Sequence, residues 1–202
     1  MTVPPSEAGR SAVDASPRYL AVGRPAGVDR SVGPEPLYSL TIDGRDYHLP
    51  LTGYHYWVGA LAGATTADLH AIAETADDLA DFADNLAWFQ ETHLLWASTG
   101  TLSDARDFAQ LRVLPTGLGA GQTDPTTSHC SLLTRDGHPA LTLDVVSYIF
   151  WTLCDGIRSV AAACDETARR TEHPLTEVQR HAAALLPRLA AHGLILLDWI
   201  DV

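Results

Sequence analysis

Two Asp-Gly pairs spaced 93 residues apart, Asp43-Gly44 and Asp136-Gly137, constrain this chain more than any other feature. Asp-Gly supplies the positive φ angles that a two-residue hairpin turn needs. Residues 37–42 and 128–134 lead into the turns as apolar or alternating runs, and residues 47–49 and 140–143 lead out, so each set predicts a hairpin. A second pair of markers keeps the interval: Gly63 and Gly156, placed as helix stops, are again 93 apart. Ahead of them Tyr54, Trp57, Val58 and Leu61, and likewise Val146, Ile149, Phe150 and Leu153, fall at the i, i+3, i+4, i+7 spacing of one apolar helix stripe. Thr52 and Asp144 stand where N-caps belong.

The agreement continues downstream. Residues 65–68 and 158–160 open a short second helix. A third carries Phe82, Leu86 and Phe89, then Leu94, and its counterpart carries Ala182, Leu186 and Leu189, then Leu194. This last offset is 100, which predicts about seven extra residues between the second and third helices of the second copy, around residues 171–174. Early strands are expected at 19–22 and 111–114, and short apolar runs close both copies. The prediction is an α+β chain of two tandem winged-helix-like units, each a small antiparallel sheet plus three helices. Residues 1–17 form a flexible tail, 18–100 a first, acidic repeat and 101–202 a second.

Composition narrows the function classes. Hydrophobic residues make up 46% and charged residues 19%, as in a folded domain rather than a disordered chain. No apolar run approaches a membrane span, and the N-terminus lacks a signal peptide's basic flank and apolar core, so the cytoplasm is the expected compartment. The formal net charge is -12, every basic residue is Arg, and residues 46–100 hold no Arg or Lys against eight acidic side chains. Such a surface repels nucleic-acid phosphate. Cys130, Cys154 and Cys164 lack metal-knuckle spacing and read as buried thiols.

The second copy resembles PqqD-like domains. The resemblance rests on residues 141–144, on Phe150-Trp151-Thr152-Leu153-Cys154-Asp155-Gly156, on the Ser159-Val160 helix opening, and on the leucine-rich 185–195 segment with its Gly193-Leu194 ending. It spans residues 108–198, and residues 19–98 match more weakly, without a Gly before Leu94. The resemblance implies a non-catalytic winged-helix element, with no cofactor, that binds the leader of a ribosomally made precursor peptide. It would present the peptide to a modifying enzyme of the same pathway, as in antibiotic biosynthesis. The guest would add a strand to the sheet edge and lie against the third helix. Carried onto this chain, the docking strand is residues 138–143, with Ala140, Leu141, Thr142 and Leu143 in contact. The helix wall runs over 178–189, where Arg180 and Arg188 face acidic leader residues. Pro139 removes one N–H from that edge, and Pro187 should kink or break the third helix. The equivalent strand of the first copy is 45–49, beside a third helix whose acidity suits a basic ligand.

Catalytic patterns are missing. No nucleophile elbow or zincin helix occurs, and the Gly-rich run 116–123 lacks Walker or dinucleotide spacing and reads as a loop. His129, Cys130 and His138 lack an evident fourth metal ligand and read as strand residues. His48 and His55, among Tyr47, Tyr54, Tyr56 and Trp57, read as polar tips of a packed cluster. Asp77, Asp78, Asp81 and Asp84 read as the wet face of the third helix. Two other readings stay open: a transcriptional regulator using the second repeat's third helix on DNA, and an enzyme with its site between the repeats.

Overall fold

The computed structural model describes residues 16–31, 33–76, 78–122 and 126–200. The expected tail, apart from residues 16 and 17, lies outside the described residues, as do Asp77 and Thr123. The chain is α+β. It begins β1 (Arg18–Ala21), β2 (Arg24–Asp29), β3 (Leu37–Ile42), β4 (Arg45–Leu49), α1 (Leu51–Gly59), α2 (Thr66–Thr75), α3 (Phe82–Glu91) and β5 (Leu95–Ser98). A 3-10 turn, Leu102–Arg106, links to β6 (Leu111–Pro115), β7 (Leu118–Gly121), β8 (Cys130–Leu133) and β9 (Pro139–Leu143). Then come α4 (Val145–Leu153), α5 (Val160–Thr171), α6 (Leu175–Ala191) and β10 (Ile195–Trp199). The order of four strands, three helices and a closing strand thus occurs twice.

Each half carries two small antiparallel sheets rather than one. The three-stranded sheets run β2-β3-β4 and β7-β8-β9, while β1 pairs with β5, and β6 with β10. β2 and β7 were not expected. Pro25 and Gly27, or Gly119 and Gly121, interrupt the alternation that marks a strand, and both strands carry a register shift at those residues. Gly119 is also required by packing: a Cβ there would lie 2.7 Å from the Tyr148 hydroxyl and 2.8 Å from the Trp151 ring.

Local chemistry explains most boundaries. Ile42 faces Arg45 across a two-residue turn in which Asp43 and Gly44 both have positive φ, 46° and 77°. The second Asp-Gly behaves differently. Residues 134–138 form a wider connection, with Thr134 N–H donating to His138 O at 2.8 Å and only Gly137 turned to positive φ. Thr65 caps α2 with a reciprocal Thr65–Asp68 capping box, Asp144 accepts from Ser147 N–H at 2.8 Å to start α4, and Ser159 caps α5. Thr52 does not cap α1, which begins after Pro50 without a side-chain cap. On α1 the buried aromatic positions are Tyr56 and Trp57, whereas Val58 points outward at 40% exposure.

The seven extra residues lie elsewhere than expected. Leu175 follows Phe82 by 93 residues, as upstream, but the helix ends, Ala191 and Glu91, are 100 apart. The difference falls in the third helices, α6 having 17 residues against 10 in α3. Pro187 neither ends nor breaks α6, which is continuous through it.

One core runs through both halves. Val22 forms a parallel bridge to Leu197, Gly23 N–H donates to Leu197 O at 2.8 Å, and Trp199 Nε1 donates to His93 O at 2.8 Å. At this seam Asp198, fully buried, accepts from Arg112 Nη2 at 2.8 Å and from the Asp43 N–H at 3.0 Å. Among the described residues no helix is long and apolar enough to cross a membrane.

Candidate functional site

β9 is an edge strand. It pairs with β8, Cys130 opposite Leu143 and Leu132 opposite Leu141, and no described strand lies on its other side. Burial rises along it without a clean alternation: Leu143 is buried, Ala140 and Leu141 are half-buried, and Pro139 and Thr142 are exposed. The strand is fixed at its end by the Asp144 cap, where Ser147 Oγ also donates to the carboxylate at 3.1 Å. An open edge presents backbone donors and acceptors to an incoming chain. Pro139 lacks one of them and sits at a register shift opposite Leu133, which confines the usable edge to its neighbours toward Leu143.

The helix wall differs from the expectation. Val178, Ala182, Ala183, Leu185, Leu186 and Leu189 are core residues at 2% exposure or less, so those side chains are not a wall for a guest. Arg180 is exposed on α6. Arg188 is also exposed, but it lines a cleft with Arg18, Ser98 and Thr99 at the end of the β1–β5 pair, facing the first half. Half-buried His181, which the sequence reading passed over, has a buried Nδ1 with no hydrogen-bond partner among the described residues. A His amid the apolar spacing of α6 was the available signal.

The first half holds a cleft of about 350 Å³ between Leu49 at the end of β4, Gly53 and Tyr56 on α1, and Asn85, Trp88 and Phe89 on α3. Asp78 and Asp81 line its rim. These acids are not the wet face of a helix: Asp78 precedes α3, Asp81 occupies its N-cap without a side-chain bond, and of this run only Asp84 lies within it. Asn85 Nδ2 donates to Asp78 Oδ2 at 2.8 Å. A wider groove of about 730 Å³ adjoins it between α1 and α2, with Leu51, His55, Val58 and Ile72 in its walls.

The remaining reactive groups are quiet. Burial pushes the Cys164 thiol up to about 12, and the Cys154 thiol is raised further by burial and its neighbours Cys164 and Asp155. His48 Nδ1 lies 3.0 Å from Ser39 Oγ on the sheet surface. Among the described residues no group of three or more His, Cys, Asp or Glu is arranged to hold a metal ion.

Residues 130–195, from β8 to the first residue of β10, match the family model described as coenzyme PQQ synthesis protein D (PqqD). That stretch contains β9 and α6 whole and about a third of the chain. No curated protein and no solved structure matches the chain.

Proposed function

We propose that this chain is a non-catalytic peptide-binding protein. In this reading the open edge of β9 takes up the leader of a ribosomally made precursor peptide as an added antiparallel strand. The protein then presents that peptide, in the cytoplasm, to a modifying enzyme of the same pathway. The observation that carries the reading is an edge strand free on one side within the PqqD-matching segment. Backbone bonds along residues 140–143 supply affinity, and the half-buried Ala140 and Leu141 set the apolar contacts. Arg180 is the cation of α6 left for an acidic leader residue, since Arg188 faces the first half.

The same reading takes residues 18–100 and 101–202 as two copies of one unit. Its support is the doubled element order and the stacked pairs Tyr54–Trp57 at 5.9 Å and Tyr148–Trp151 at 6.1 Å. Further support is the left-handed backbone at Gly63 and Gly156, and at His93 and Gly193. A DNA-reading role for α6 is chemically poor, because with Arg188 turned toward the first half its outward face offers Arg180 for a task that needs many phosphate contacts.

The test is calorimetric titration of synthetic peptides made from any short reading frame that neighbours this chain's gene, together with Pro substitutions at 140, 141 and 142. Where the native N–H faces outward, Pro leaves the fold intact and removes one backbone bond, worth about 1 kcal/mol or about five-fold in affinity. Absence of leader binding, or Pro variants that fold and bind unchanged, refutes strand addition at β9.

A further inference from the structure

We infer that the groove between α1 and α2 docks an amphipathic helix of a partner protein, with Leu-type side chains in the groove and Arg or Lys side chains at its two ends, against Asp68 and Asp78. The groove shares no residue with the β9 edge, and its occupancy does not depend on strand addition there.

The first observation is an apolar surface on both walls. On α1, Leu51 and Val58 are 47% and 40% exposed and stand one face apart at i, i+7, with His55 between them. On α2 the wall is Ala71, Ile72 and Thr75. Thr75 Oγ donates to Ala71 O at 3.0 Å, so its hydroxyl is turned back into the helix.

The second observation is that the second half dresses the same face differently. Counted from the N-caps Thr65 and Ser159, residues 71, 72, 75 and 76 of α2 correspond to Asp165, Glu166, Arg169 and Arg170 of α5. There Glu166 accepts from Arg169 and Arg170, each at 2.6 Å, and forms a solvated ion-pair cluster. A helix in this place therefore packs with a charged outer face, and the apolar face of α2 is not a requirement of the fold. An apolar surface rimmed by polar groups marks a contact with another molecule.

The shape of the groove selects a helix. The walls are helices of 9 and 10 residues, about 14–15 Å long, and the groove holds about 730 Å³. Helical walls keep their N–H and C=O groups in their own ladders, so an extended guest finds no backbone partners there. A third helix laid along the furrow needs only side-chain contact, with apolar anchors at i, i+3 or i+4, and i+7.

Charge selects the sequence of that helix. Asp68 lies in the first turn of α2, on the face that carries residues 71, 72 and 75. Its bonds from the Thr65 N–H and hydroxyl hold its carboxyl below the usual range, with Arg18 a smaller contributor, so it stays ionised. Asp78 stands at the other end, where its N–H closes back on Ala73 O at 2.9 Å and its carboxylate accepts from Asn85. Residues 46–100 contribute eight acidic side chains and no Arg or Lys. A second copy of this chain would bring the same acids against them, whereas a basic helix compensates both ends.

The probe is the peptide acetyl-Ala-Arg-Ala-Gln-Leu-Ala-Gln-Leu-Leu-Ala-Gln-Arg-Ala-Ala-amide, whose two Arg are about 15 Å apart in a helix. It is compared with its citrulline isostere, which keeps the shape without the charge, and with a version carrying a central Pro. Calorimetric titration into the full chain is expected to show the Arg peptide binding about ten-fold more tightly than the isostere, and the Pro peptide not binding. Asp68→Asn with Asp78→Asn removes the ten-fold preference. Ala71→Asp with Thr75→Arg gives α2 the residues of α5 at two exposed positions, and abolishes binding with the thermal midpoint unchanged. Val58→Asp, on the opposite wall, does the same. Failure of the Arg peptide to bind overturns the proposal, as does equal binding of the isostere or of the Pro peptide. So does binding that survives the α2 pair or Val58→Asp, and so does self-association of the chain that Val58→Asp abolishes, which would make a second copy the occupant.

Discussion

Removing the Asp198 carboxylate tests whether the two halves fold as one unit. Asp198 Oδ2 accepts from Arg112 Nη2 at 2.8 Å and Nε at 3.3 Å, and Oδ1 accepts from the N–H groups of Asp43 at 3.0 Å and Trp199 at 3.1 Å. Asp198→Ala strands the Arg112 guanidinium, whose side chain is 19% exposed, and leaves two N–H groups short of an acceptor. Breaking a buried pair costs about 3–5 kcal/mol. The lower end applies, because Arg112 keeps some access to water and retains Asp43 Oδ1 at 3.4 Å. About 3 kcal/mol corresponds to a fall of roughly 6–12 °C in thermal midpoint for a chain of this size. Asp198→Asn keeps the Oδ1 acceptor and loses the charge, and is expected to fall between Ala and the parent. Leu at both 112 and 198 recovers most of the loss, since an apolar pair carries no desolvation penalty. Scanning calorimetry of the whole chain is the assay, with one cooperative transition expected for the parent. A change below about 1 kcal/mol in Asp198→Ala, or separate transitions for the halves, refutes the reasoning.

Two further outcomes concern α4 and the thiols. Asp144→Ala removes the α4 cap and is expected to cost about 1 kcal/mol, with faster hydrogen exchange at the end of β9; an unchanged midpoint argues against the cap. Native Cys154 and Cys164 are expected to resist a thiol reagent at pH 8 and to react fully once denatured. Their folded pKa values lie above the ordinary 9.0, so stability is retained below that pH and lost as pH rises, toward about 12 for Cys164. Alkaline denaturation monitored by circular dichroism checks the sign, and a chain that gains stability above pH 9 contradicts it.

The elements legible in the sequence were those whose signals are local. Thr65, Asp144 and Ser159 are caps because a short oxygen precedes a helical run, and β3 with β4 follows from an Asp-Gly pair whose backbone is left-handed at both residues. β2 and β7 were hidden because an edge strand can hold its place by backbone pairing to β3 or β8 alone, while Pro25, Gly27 and Gly119 erase the pattern. The partners of β1 and β6 were hidden for another reason. Their pairing closes over 70 residues or more, from Arg18 to Ser98 and from Leu111 to Trp199, and no local pattern encodes it. At the β9 edge the strand was legible from alternation. The fate of Arg188 was not, because it depends on how α6 lies against β1.

The difference between α3 and α6 bears on what each half can bind. α6 is long enough to bury Val178, Ala182, Ala183, Leu185, Leu186 and Leu189 along one face, against α4, α5, the 3-10 turn and β1. α3, at 10 residues, buries only Phe89 fully and leaves Trp88 at the surface. The apolar stripe that made the third helices look alike therefore does opposite work in the two halves. In the second it closes the core, and the β9 edge stays unpaired among the described residues. In the first it stops short, and the gap between α1 and α3 is lined by a Tyr, an Asn and two Asp that α1, α3 and their preceding linker place together. Lengthening α3 by apolar residues should close that gap. A gain in thermal midpoint is the expected outcome, and a loss refutes the reading that α3 stops short of filling the gap.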